Sequence, residues 1–248
     1  MRQGAFTCQS TQSRSALADA WASDTFTMNK HPDLHGNAPD KSTIALLLID
    51  VINDFEFEGA ETLFKHALPA AKTIALLKKR TDKTGIPAIY INDNFGKWRS
   101  DFRTLVSHCI DDDTRGRPIV ELLKPRDEDY FVLKPKQSGF YSTTLDLLLK
   151  HLGAKTLILT GFTGDICVLF TAIGAHLRDY HLIVPTDCVV SQDARENESI
   201  LNYMERVLEA GTQPSNAINL KLAAHARAQN AQPAVVSPPS SVNTSPVT

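Results

Sequence analysis

No two cysteines of this chain lie close together: Cys8, Cys109, Cys167 and Cys188 are the four it has. That spacing excludes a CxxC redox pair and a cysteine-rich zinc knuckle. An excess of charge of one sign is lacking too. With 26 Lys and Arg against 28 Asp and Glu, the formal charge is -2, which offers no field to draw in nucleic acid or an anionic membrane. Long apolar runs are also missing: IALLLIDVI falls far short of the ~20 residues that span a bilayer. The first residues hold an early arginine but no apolar core of a secretory signal. A cytoplasmic setting is therefore expected, in which thiols stay reduced and free for chemistry.

What is present is the material of a globule with a real core, 42% hydrophobic and 22% charged over 248 residues. That length fits one large domain with appendages. Residues 229–248, QNAQPAVVSPPSSVNTSPVT, are rich in Pro, Ser and Ala with almost no charge. Such a segment buries too little surface to offset its ordering entropy, and a disordered tail is expected. Residues 1–41 are expected to be a partly flexible extension, its first 27 residues rich in Ser, Thr, Gln and Ala without sustained period. Met28 then stands as a candidate functional start. The folded domain is expected over residues 42–228.

Within it strands and helices alternate. Continuous apolar runs mark strands at Thr43–Asp50, Pro87–Asn92, Tyr130–Lys134, Thr156–Thr160 and His181–Pro185, as in parallel strands buried on both faces. A last short strand is expected near Ala217–Leu220. Amphipathic helices fall at about Leu68–Thr84, Ser142–His151, Asp165–Asp179 and Asp193–Ala210, three of them closed by Gly85, Gly153 and Gly211. Repeated strand–helix units of this length predict an α/β fold, a three-layer α/β/α sandwich on a parallel sheet.

Sheets of this kind place ligands at the carboxyl ends of their strands, where strand order reverses. The residues there are Asp50, then Asn92 and Asp93, then Lys134, then Thr160 to Cys167, then Thr186 and Asp187. An acid, an amine and a thiol reach one rim. A thiol has a pKa of about 8.5, and only its anion attacks well. Cys167 opens the third of these helices, where free N–H groups and a neighbouring Lys134 ammonium favour the anion. Asp50 could take the thiol proton and return it to a leaving group, and the GFTGDI loop could aim N–H groups at a developing oxyanion. Together the parts describe acyl transfer through a thioester.

Plainer readings stand beside this one. Free cysteine is a common buried residue, an Asp ending a strand is often a cap or turn former, and a Lys before Pro135 is often a solvated edge residue. Cys109 and Cys188 have no such partners in sequence and are read as structural. A Cys–His pair fails on geometry. His176 lies nine residues beyond Cys167 on the same helix, hence roughly 13 Å along its axis. From pattern alone, the nucleophile and the buried thiol both remain open.

Four blocks narrow the choice: ALLLIDVINDF, IPAIYINDNFGKWRSDF, DYFVLKPKQSGFYSTTLDLLL and TLILTGFTGDICVLFTA. In order and spacing they make the core from Ile44 to Ala210 resemble the isochorismatase-like cysteine hydrolases, which include nicotinamidases and N-carbamoylsarcosine amidohydrolase. The resemblance implies a six-stranded parallel sheet and an Asp–Lys–Cys triad at Asp50, Lys134 and Cys167. It implies an oxyanion hole of the Thr163 and Cys167 N–H groups, a cis peptide joining Phe162 to Thr163, and a homo-oligomer, dimer or tetramer. Phe55 matches an aromatic that stacks on substrate in relatives, and Trp98 is a further pocket candidate or a subunit contact. Phe162 is either a pocket residue or, more in keeping with the general habit of Phe, packing beneath it. Arg99 could pair with a substrate carboxylate.

The departures carry weight as well. Metal-dependent nicotinamidases have Asp-x-His after the second strand, where this chain reads Asp93-Asn94-Phe95, so no metal and no cofactor is expected. Isochorismatases that cleave a vinyl ether lack the cysteine, so Cys167 favours C–N hydrolysis of a small-molecule amide. The alternatives are a catalytically silent scaffold on the same fold, a vinyl-ether hydrolase, and a redox thiol, the last disfavoured by the lack of a resolving cysteine.

Overall fold

The apolar runs become the centre of a sheet. A computed structural model describes residues 41–94 and 101–221, so the terminal extension up to residue 40, Met28, Trp98, Arg99 and the tail from residue 222 lie outside the described residues. Strand β1 (Ile44–Ile49) is buried at all six positions. It runs parallel to β2 (Ala88–Asp93) on one side and to β4 (Thr156–Phe162) on the other. Beyond these lie β3 (Tyr130–Lys134) and β5 (His181–Ile183), giving the order β3-β2-β1-β4-β5.

Alternate residues of β1 serve two cores, which is why the run is apolar throughout. Ile44, Leu46 and Leu48 pack with Leu63, Ile74 and Leu77 of helix α1 (Ala60–Asp82). Ala45, Leu47 and Ile49 pack on the other face. There they meet α4 (Leu145–Leu152), α5 (Leu169–His176) and α6 (Ala194–Leu208). The result is the expected three-layer α/β/α sandwich. Strand order reverses between β1 and β4, so the crevice lies beyond Ile49 and Phe162.

The sixth strand is not at Ala217–Leu220. It is β6 (Val189–Val190), which lies beside Gly161 and Phe162 at the end of β4. The expected strand region instead begins with a 3₁₀ turn at Ser215–Ala217. Asp187 accepts from the Ser215 N–H and Oγ, both at 2.8 Å. The Arg80 guanidinium donates to the Ser215 and Ile218 carbonyls, both at 2.7 Å. Side chains thus hold the backbone of this stretch at Ser215 and Ile218.

Two helices fall where none was expected, α2 (Phe102–Asp111) and α3 (Arg117–Leu122). Asp101 caps α2 by accepting from the Arg103 and Thr104 N–H groups at 2.8 and 3.1 Å. Helix α1 starts eight residues before Leu68 and runs through Pro69, a residue that better suits a first turn. Helix α4 does not start at the expected Ser142. That residue has φ 52°, and the helix begins after Thr144. Among the described residues no helix is long and apolar enough to cross a membrane.

One glycine is dictated by close approach. Gly161 has φ +122°, and a Cβ there would stand 2.0 Å from the Ile49 carbonyl oxygen. Gly161→Ala is expected to cost about 2–4 kcal/mol, from backbone strain plus displacement of β1. Urea denaturation would read this as a lower midpoint. A wild-type midpoint would mean that β1 moves aside freely.

Candidate active site

Three strand ends and one turn build the site. Asp50 follows β1 with φ 51°, a left-handed conformation that Asp tolerates better than bulkier residues. Its Oδ1 accepts from the Asp93 N–H at 2.7 Å, and its Oδ2 lies 2.9 Å from Lys134 Nζ. Lys134 ends β3 with its side chain wholly buried. The same ammonium lies 3.4 Å from Cys167 Sγ and 3.6 Å from Asp93 Oδ2. The acid, amine and thiol singled out in the sequence are thus brought together around one nitrogen.

Cys167 does not open an α-helix. It sits in a π-helical turn, Gly164–Val168, and α5 begins only at Leu169. The Thr163 carbonyl accepts from the N–H groups of Ile166 at 3.3 Å and Val168 at 3.1 Å, bracketing Cys167. The peptide bond between Phe162 and Thr163 is cis. The Asp165 N–H donates to Ser191 Oγ at 3.1 Å, tying the turn to the segment after β6. On the other wall, Asn92 Nδ2 donates to the Ile52 carbonyl at 2.7 Å and holds the loop after β1.

The electrostatics correct one expectation. Burial pushes the Cys167 thiol up, the Asp50 charge adds to this, and Lys134 only partly opposes them, leaving the thiol at about 12. Burial also raises the Asp50 carboxyl, against the pull of Lys134 and the hydrogen bonds it receives. For Lys134 burial acts downward, but the charges of Asp50 and Cys167 outweigh it and the ammonium is held above its ordinary value. In the resting site burial and the nearby Asp50 therefore favour the protonated sulfur, with Lys134 set between it and the Asp50 carboxyl. A helix start and a neighbouring ammonium argued for an anion. The depth of the site and the nearness of Asp50 reverse that sign.

Among the pocket aromatics Phe55 is corrected, and Phe162 takes the packing role. Phe55 and Phe162 are 0% and 2% exposed, so they pack beneath the site and line no open surface. Their rings meet edge to face at 6.2 Å, and Phe64 adds a second edge contact on Phe55 at 5.6 Å. Trp98 and Arg99 lie outside the described residues. Cys109 and Cys188 are fully buried, and burial pushes the Cys109 thiol up to about 12. Of the histidines, His108 lies 2.7 Å from Asp112 and 3.4 Å from Asp54, while His176 closes α5. Among the described residues no group of three or more His, Cys, Asp or Glu side chains is arranged to hold a metal ion.

In the sequence Asp93 stood out as a strand-end residue and as the start of the incomplete Asp-x-His pattern, with no link to Lys134. The structure gives it two contacts with the site, its N–H on Asp50 and its carboxylate near Lys134. The signal was its place in β2, directly beside Lys134 in the sheet register.

A parallel sheet covered by helices on both faces is the frame of the isochorismatase-like hydrolases. Residues 44–215 match the Isochorismatase domain, and the chain belongs to the isochorismatase family. It is 42% identical over 170 residues to YaaI of Bacillus subtilis, an uncharacterised isochorismatase family protein, covering 68% of this chain and 93% of that one. Over a shorter stretch of 69 residues it is 39% identical to the ureidoacrylate amidohydrolase RutB of Methylorubrum extorquens, 28% of either chain. Among solved structures, N-carbamoylsarcosine amidase from Thermoplasma acidophilum is 29% identical with a TM-score of 0.57. The match covers 71% of this chain and 99% of that one.

Proposed function

We propose that this hydrolase cleaves a C–N bond of a small-molecule amide through a thioester on Cys167. The observation that carries the reading is the buried Lys134 ammonium set between the Asp50 carboxylate at 2.9 Å and the Cys167 sulfur at 3.4 Å. Nothing in the packing of a strand end calls for that trio, since buried ionised groups are costly unless they are paired. The names of two relatives, an amidase and an amidohydrolase, point to the same bond class.

The thiol proton passes to Asp50 as the sulfur attacks the carbonyl carbon. The resulting oxyanion rests on the N–H groups of Thr163 and Cys167. Asp50 then gives its proton to the leaving nitrogen, the C–N bond breaks, and the thioester remains. Water attacks the thioester carbon while Asp50 takes its proton. The C–S bond breaks and that proton returns to sulfur, which restores the site.

A panel of small amides and ureas, followed by release of ammonia or amine, tests the reading. Turnover by the wild type and its loss in Cys167→Ala is the expected result. Amide turnover that survives in Cys167→Ala would overturn it. So would cleavage of a vinyl ether but of no amide, or a thiol unreactive toward every amide and alkylating agent tried.

A further inference from the structure

Lys134 is an ammonium whose counter-charge changes during the proposed reaction. Its side chain is wholly buried, and a buried ammonium stays protonated only beside a negative partner. In the resting site Asp50 at 2.9 Å fills that role. Whenever Asp50 holds the proton of the thiol, or later of water, it is neutral. At those moments the sulfur is bonded to the acyl carbon and carries no charge either. Both of the nearest partners fail together.

A third group does not. Asp93 Oδ2 lies 3.6 Å from the same nitrogen. Its position is set by the sheet, for Asp93 and Lys134 are register partners at the ends of β2 and β3. It is set again by the Asp93 N–H, which donates to Asp50 Oδ1 at 2.7 Å. The carboxylate is 37% exposed and takes no part in the proton transfer. Among the described residues, Asp50, Asp93 and Cys167 are the titratable groups placed against Lys134, from the ends of β1 and β2 and from the π-turn.

We propose that Asp93 is a positioning residue, the second counter-ion that keeps Lys134 protonated and in place while Asp50 carries the proton. The inference rests on the triad reading above. It assigns to Asp93 a role exercised through Lys134, without contact with substrate. Because Asp93 raises the affinity of Lys134 for its proton, its loss should release that proton at lower pH.

The test needs no substrate for its first arm. Asp50→Asn mimics the neutral Asp50 of the intermediates. In protein labelled with ¹³C at the lysine side chain, the Lys134 signal is identified by its loss in Lys134→Met. Its titration midpoint should move to lower pH in Asp50→Asn/Asp93→Asn relative to Asp50→Asn, and Asp50→Asn/Asp93→Glu should restore part of the difference. An unchanged midpoint would overturn the proposal. In the second arm, Asp93→Asn alone should lower kcat by about tenfold with little change in KM. The alkaline limb of its kcat profile should also shift to lower pH. Turnover that persists in Cys167→Ala would sink the triad reading itself. Turnover lost in Cys167→Ala but kept at the wild-type rate and pH profile in Asp93→Asn would sink only the role of Asp93.

Discussion

Asp50→Asn is expected to lower amide turnover by about 10²- to 10⁴-fold, the usual contribution of a general acid–base, while making Cys167 more reactive toward iodoacetamide. The two effects diverge because Asp50 does two things. It accepts the thiol proton during attack, and at rest its charge discourages the thiolate. Asn keeps the shape and removes the charge, so the thiol pKa falls toward its ordinary value. Each pH unit of that fall raises the thiolate fraction tenfold but lowers its intrinsic nucleophilicity, for a net gain of about threefold. Lys134→Met should do the reverse, since the ammonium is what favours the thiolate. Mass spectrometry of the Cys167 peptide across a pH series reads both variants. A slower reaction in Asp50→Asn would mean that the thiol rests as an ion pair with Lys134, contrary to the buried, protonated thiol described above.

Much of the frame was legible before any coordinates. Ile44–Ile49 is apolar at every position, and only a strand buried on both faces asks for that. Once a parallel sheet is accepted, the rule that ligands sit at strand ends brings Asp50, Lys134 and the Cys167 turn to one rim among other polar residues. The four blocks of family resemblance then single them out. What was not legible depended on sums over many neighbours. Val189–Val190 is too short to show a period, and it is a strand only because β4 lies beside it. Phe55 matches a substrate-stacking aromatic of relatives, yet it is buried in the core against Phe64 of α1. Whether Cys167 holds its proton is a contest between burial and two opposite charges, and a chain of letters cannot weigh burial. Asp93 shows the same limit in another form. Its letter was on the rim, but its pairing with Lys134 is a matter of register, which slips by one residue without any change in composition.

Lys134→Met carries the largest expected loss of stability. Methionine follows the lysine stem closely in volume and flexibility, so packing is nearly conserved. What changes is charge, because the variant leaves Asp50 buried and facing Asp93 with no cation between them. Removing one partner of a buried pair costs about 3–5 kcal/mol, or roughly 10 °C in Tm for a domain of this size. The pH dependence follows from the direction of the Asp50 shift. Its carboxyl is already raised, and losing Lys134, its largest opposing influence, raises it further. A carboxyl raised in the folded state favours folding when protonated and opposes it as pH rises from its unfolded value through its folded one. The deficit relative to wild type should therefore be small near about pH 4 and largest at neutral pH and above. Lys134→Met/Asp50→Asn removes the orphaned charge and should recover most of the loss, since a neutral, well-packed replacement of a buried ion pair is often no less stable than the pair. A deficit in Lys134→Met that is the same at every pH, or a double variant no more stable than the single one, would place the cost in packing. The Asp50–Lys134 pair would then be no electrostatic lock on the rim of the sheet.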